Sequence, residues 1–187
     1  MTIAKRNRSV LAALASISLL AMSACSEDFE TMEANKEPGS DSIAAMIAGN
    51  DDLSSVEAVL ETAGLVGAFD AAPYYTVFAP TDNAMEALGD DFEGEEGRAA
   101  LAAILREHVV PGYLTREDIA NAIEANGGSV EMATMGNGTL TFSMDGDALR
   151  VAGTNGEDGA VIESEMLGTN GVVFPVDAVL KDVTLAE

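Results

Sequence analysis

Between Asp41 and Gly128 the apolar residues recur at helical spacing, and beyond Gly128 they alternate. Ile43, Met46 and Ile47 mark a short helix that Asp41-Ser42 can cap. Ser54 and Glu57 have capping-box spacing; Val56, Val59 and Leu60 follow on one helical face, and Gly64 suits the stop. Thr76–Ala79 is a short β-rich run. Pro80-Thr81-Asp82 then turns the chain, and Thr81 or Asp82 can cap a helix reaching Leu88. Asp90–Gly97 reads as an acidic loop. Arg98–His108 is a strong helix with Leu101, Ile104, Leu105 and His108 on one face, stopped by Pro111-Gly112. Thr115 and Asp118 open another, which runs to Ala125 and ends at Gly127-Gly128.

In the second half, Leu140–Met144 alternates as a half-buried strand does, between the hairpin signals Asn137-Gly138 and Asp145-Gly146. Leu149 and Val151 continue the alternation, and Val161-Ile162, Val172–Val176 and Val179–Val183 are further strands. Pro175 lacks an N–H, which predicts an edge or a bulge in its strand. Helices followed by strands predict an α+β domain over residues 41–187, built on antiparallel sheet.

The start of the chain has a different pattern. Lys5, Arg6 and Arg8 precede the apolar and small run Val10–Met22. That run is shorter than the ~20 residues a spanning helix needs and fits the apolar core of a secretory signal over residues 1–24. Ala21-Met22-Ser23-Ala24-Cys25 resembles the lipobox of bacterial lipoproteins, with Met22 where that motif prefers Leu. The resemblance implies lipidation at Cys25 and a stable membrane anchor. Ser26, rather than Asp, after the Cys points to the outer membrane. Cleavage after Ser23 is the alternative; it would leave Cys25 a free thiol and the protein periplasmic or secreted. Ser26–Ser40 has no apolar period and many charges, so residues 25–40 read as the lipidated Cys and a flexible acidic tether.

Charge narrows the partners. Nine Lys+Arg face 32 Asp+Glu, a formal net charge of −23; from Cys25 onward it is −26. Such a surface repels nucleic acid, whose affinity rests on basic contacts to phosphate, and leaves a lipid as the only route to an anionic membrane. One Cys and one His exclude an internal disulfide, a multi-Cys zinc site and a two-His active site. No GxSxG is present and Cys25 precedes the domain, so no nucleophile comes with a positioned base. Nothing resembles a phosphate loop or a dinucleotide fingerprint. The chain therefore reads as non-catalytic, without a cofactor or a metal centre. The rival reading is an envelope protein that binds Ca²⁺ or a small ligand in its acidic loops. Asp90-Asp91-Phe92-Glu93-Gly94-Glu95-Glu96 and Asn155-Gly156-Glu157-Asp158 supply the oxygens, but neither matches the EF-hand pattern. Met132, Met135 and Met144 read as core or edge filler rather than copper ligands.

Three segments, in order, resemble the fasciclin domain. They are Tyr75-Thr-Val-Phe-Ala-Pro-Thr-Asp-Asn-Ala84, Leu105-Arg-Glu-His-Val-Val-Pro-Gly112 and Thr169-Asn-Gly-Val-Val-Phe-Pro-Val-Asp-Ala-Val-Leu180. Glu107 stands where that family has a Tyr before the His, and Phe174 where it has a His. The resemblance implies a β-sandwich wedge with several flanking helices in the N-terminal half. It also implies a secreted or membrane-anchored module for adhesion, whose partner is a protein or polymer at the cell surface or matrix. Within these blocks Thr76, Phe78, Pro80, Thr81, Asn170, Gly171 and Asp177 read as structural. Thr81 would cap a helix, Asn170-Gly171 would form a turn needing positive φ, and Asp177 would accept backbone hydrogen bonds at a strand end. His108, Pro111, Gly112 and Tyr113 are the candidate partner-binding residues. His108 admits two readings: an imidazolium at a helix C-terminus available to a partner, or a half-buried structural His.

Overall fold

The computed structural model describes residues 39–71, 74–88, 94–153, 159–162 and 164–180. Its helices are α1 (Ile43–Ala48), α2 (Ser54–Thr62), α3 (Val66–Ala71), α4 (Asp82–Glu86), α5 (Gly94–Glu107) and α6 (Arg116–Ala125). Its strands are β1 (Tyr75–Pro80), β2 (Val109–Pro111), β3 (Ser129–Ala133), β4 (Thr139–Asp145), β5 (Ala148–Ala152), β6 (Ala160–Ile162), β7 (Met166–Leu167) and β8 (Gly171–Val176). A 3₁₀ turn, Asp51–Leu53, leads into α2.

The strands form one sheet in the order β2-β1-β8-β6-β5-β4-β3, with β7 also on β8. The path bends back on itself: just past β3, the Met135 N–H donates to the Val109 carbonyl of β2 at 2.7 Å. The result is a nearly closed wedge with helices against it, the α+β architecture expected. One expectation needs correction. The sheet is mixed, because β1 and β8 pair in parallel from Tyr75 opposite Gly171 to Pro80 opposite Val176. A parallel pair needs a long crossover between its strands, and here α4 to α6 and β2 to β7 supply it.

Both strands are apolar on both faces, as strands covered on both sides must be. Val77, Ala79 and Val173 face a core shared with Ile43 and Ile47 of α1, Val56 and Leu60 of α2, Phe69 of α3 and Leu105 of α5. Phe78, Val172, Phe174 and Val176 face a second core with Leu140 and Phe142 of β4, Leu149 and Val151 of β5, and Ile119 and Ile123 of α6. The Phe78 ring stacks on Phe174 at 5.3 Å and tilts against Phe142 at 5.1 Å.

Several local expectations change. Pro175 lies in an inner strand rather than at an edge. On its second flank β8 meets β7 at Val172 and Val173 and β6 at Val176, so the proline falls where that flank changes partner. Val179 and Leu180 lie outside any strand, and residues 181–187 fall outside the described residues. α5 starts at Gly94, so the acidic loop is shorter than its composition suggested. β2, β3, β7 and α3 were not foreseen: β2 and β7 are too short for a period to show, and among its described side chains the six-residue α3 buries only Phe69.

Gly171 does not take positive φ, contrary to the expected turn. It is needed for close approach: a methyl group there would collide with the Tyr75 carbonyl and the Ile43 side chain. Gly171→Ala should therefore destabilise the domain by at least about 2 kcal/mol. Urea unfolding should show a lower midpoint at unchanged slope.

Candidate functional site

Glu107, the last residue of α5, and His108, which follows it, both turn inward. His108 is fully buried. Its Nδ1 lies 2.8 Å from the Ile104 carbonyl, and its Nε2 accepts the Leu180 N–H at 2.8 Å. A carbonyl requires a proton on Nδ1, and a backbone N–H requires a lone pair on Nε2, so the arrangement calls for the neutral Nδ1–H tautomer. The ring thus ties the last turn of α5 to the segment after β8. It meets the helix end as a neutral donor, not as the imidazolium considered above, and presents no surface.

Glu107, which sequence reasoning treated only as a departure from the family's Tyr, is the more consequential residue. Its carboxylate is caged by the β3–β4 loop. Oε2 accepts from the Thr134 hydroxyl and the Gly138 N–H, each at 2.8 Å, and Oε1 accepts from the Asn137 N–H at 2.9 Å. The loop closes so tightly that any side chain at Gly136 would strike the carboxylate. Charge-assisted bonds of this kind are about twice as strong as neutral ones. The cage holds the loop that carries Met135 against β2. An acid ending an apolar-faced helix and a Gly-rich loop some 30 positions later were both visible in the sequence; nothing there connected them.

The other expected residues are spread over the same half of the sheet. Thr76 is buried; its hydroxyl donates to the Gly112 carbonyl at 2.8 Å and accepts the Leu114 N–H at 2.9 Å, fixing the chain after β2. Pro111 is exposed at the end of β2, opposite Tyr75. Gly112 follows with φ +114°. The Tyr113 ring meets Tyr74 edge-on at 6.2 Å, and Tyr74 is 56% exposed. The Tyr113 hydroxyl is buried without a hydrogen-bond partner among the described residues. Burial, reinforced by the Glu165 carboxylate, pushes its pKa above the ordinary 10.0. Phe78 and Pro80 are buried in β1. Asn170 is a clamp: Oδ1 accepts the Ile43 N–H at 2.8 Å and Nδ2 donates to the Phe69 carbonyl at 2.7 Å. Asp177 accepts the Val161 N–H at 3.0 Å.

Capping follows tertiary contacts in one place. Thr81 stands at the N-cap of α4 but its hydroxyl makes no capping bond, and Ser54 caps nothing in α2. Instead Asp82 crosses to α2, accepting the Ser54 hydroxyl at 2.6 Å and the Ser55 N–H at 2.8 Å. Those bonds, the Ser54 hydroxyl first, hold its pKa below the ordinary 3.8. The Thr115–Asp118 capping box and the Ser42 cap form as expected.

Cys25 and the segments 89–93 and 154–158 lie outside the described residues, as do the Glu95 and Glu96 side chains. Among the described residues no group of three or more His, Cys, Asp or Glu is arranged to hold a metal ion. None of the described helices is long and apolar enough to cross a membrane.

A helix-covered, nearly closed mixed wedge whose polar interior is spent on joining segments defines a scaffold class, and comparison with known proteins places the chain within it. The fasciclin domain model matches residues 51–182, and the chain belongs to the fasciclin domain family. It is 30% identical over 142 residues to protein sll1483 of Synechocystis, covering 74% of this chain and 72% of that one. It is 31% identical to human periostin over 74% of this chain, and 27% identical to pig transforming growth factor-beta-induced protein ig-h3 over 81%. It spans only 16% and 21% of those two proteins. A FAS1 domain pair from the insect cell adhesion molecule fasciclin I shares the fold at a TM-score of 0.59 and 20% identity, over 71% of this chain and 46% of that one.

Two predictions follow from the buried carboxylate and the bridging one. Glu107→Gln leaves an amide facing backbone N–H groups and should cost about 1–3 kcal/mol. Thr134→Val should cost less, and the double variant less than the sum, because both act on one cage; urea unfolding of the four proteins checks this. For Asp82, a lowered folded pKa means its contribution is present above 3.8 and is lost as the pH falls through the depressed value. Asp82→Asn should therefore lower stability at neutral pH and flatten its acid limb, measured as urea midpoints from neutral pH downward.

Proposed function

We propose that this chain is a non-catalytic adhesion module of the cell envelope. In this reading residues 1–24 direct export, Cys25 carries the lipid, residues 25–40 act by composition as a leash, and residues 41–187 are the binding domain. Membership of the fasciclin domain family over residues 51–182 is the observation that carries it. The fold shared with a domain pair of an insect cell adhesion molecule adds support. Adhesion needs a rigid body with a surface to offer. The surface proposed is Pro111-Gly112-Tyr113 with Tyr74 beside it, where exposed aromatic area is backed by the Thr76 bonds. Aromatic residues are favoured anchors at protein interfaces. His108 takes the part of a buttress beneath this surface, holding the end of α5 that leads into β2. The acidic remainder keeps the module soluble and selects against anionic partners.

The test compares cells carrying the chain, cells without it, and cells carrying Cys25→Ser or Tyr74→Ser, for retention under flow on a surface coated with their own secreted matrix. Loss of the chain or of Cys25 should reduce retention severalfold. Tyr74→Ser should reduce it with the protein still in the membrane fraction. Intact mass of the wild type should show acyl groups on Cys25. Equal retention in all four strains would refute the adhesive reading, and a soluble, unacylated wild type would refute the anchor.

A further inference from the structure

Arg106 differs from the other bases whose side chains are described. Arg116 donates to the Ile162 and Asp147 carbonyls at 2.7 and 3.1 Å, and Arg150 to Asp145 and the Gly159 carbonyl, each at 3.1 Å. Arg106 makes no hydrogen bond or ion pair among the described residues, in a chain with 32 carboxylate side chains. It is exposed in the last turn of α5 and lines an apolar cavity of about 60 Å³. Leu65, Phe69, Tyr75, Leu105, Val109 and Met135 form most of the rest of the wall. Met135 is 42% exposed, so the apolar lining continues to the surface.

The cavity has several times the ~10–15 Å³ that one water needs, and an apolar cavity of this kind takes apolar groups in preference to water. Its one charged lining residue is a cation. A guanidinium can grip a carboxylate with two parallel hydrogen bonds. The strongly negative remainder of the domain repels free anions, so a ligand needs both parts: a short hydrocarbon for the cavity and an anionic head for Arg106. We propose that this cavity binds a short aliphatic carboxylate, its chain among Leu65, Phe69, Leu105 and Val109 and its head on Arg106. The inference rests on the cavity and the guanidinium and is independent of the adhesive reading.

The test titrates the full chain with sodium hexanoate and with hexanol at low salt, following the Met135 methyl resonance and the heat of binding. Hexanoate should bind saturably and shift that methyl, with hexanol about tenfold weaker. Arg106→Gln should weaken hexanoate about tenfold and leave hexanol unchanged. Ala68→Phe, in the cavity wall, should abolish both, with unfolding midpoints showing that each variant is folded. Three outcomes would overturn the proposal: no saturable binding, equal affinity for hexanol, or hexanoate binding indifferent to Arg106→Gln.

Discussion

The parallel ladder between β1 and β8 is the constraint on which the rest of the structure depends. Its paired residues lie 96 positions apart, and the two strands form the wall between the two cores. Alternate residues of the same six-residue segments supply both sides: Val77 and Val173 to the helical core, Phe78 and Phe174 to the β core. A shift of one residue would exchange the two sets. Closing the chain between these distant segments costs conformational entropy, and burial on both faces of the ladder offsets it. Gly171 starts the ladder because only a residue without a side chain fits between Tyr75 and Ile43.

A second layer of constraint is polar. Thr76, Glu107, His108 and Thr134 are buried, and each joins segments distant in sequence. A buried polar group that loses its partner costs more than the bond contributes when made, so such groups specify which segments meet. The two departures from the family pattern fit this division. Glu107 brings in its own cage from the β3–β4 loop, and Phe174 extends the ring cluster of the apolar core. The site is thus a set of ties beneath a surface. What reaches solvent is Tyr74, Pro111 and the lip of the cavity beside Arg106. Pro111 and Val109 share one face of β2, which places the proline on the cavity side of that strand.

How far the chain could be read beforehand varied by element. α2, α6, β4 and the β4–β5 hairpin were legible because a period and a turn or stop residue agreed within a dozen positions. The alternation over Leu140–Met144 and Asp145-Gly146 needed no distant partner to be interpreted. Capping was legible only where it was local. Thr115 and Asp118 form their box, whereas Ser54 has the same spacing to Glu57 yet spends its hydroxyl on Asp82 of another helix. Of the candidate residues, Thr76, Asn170 and Asp177 were visible within two of the family blocks, but the roles of Asn170 as a clamp on α1 and α3, and of Glu107 as a caged anion, were not.

By itself the amino-acid sequence determined most of the helices and the longer strands in their order, many of the apolar residues that become core, the family blocks and the strongly acidic composition. Each of these depends on residue identity and short-range spacing. Only the tertiary structure decided that β1 and β8 run parallel, that Pro175 lies inside the sheet, that His108 is neutral and enclosed, and that Arg106 is left at the mouth of an apolar cavity. The physical reason is the same in every case. A buried polar or close-packed group is defined by the atoms across from it, and in this fold those atoms come from segments tens of residues away.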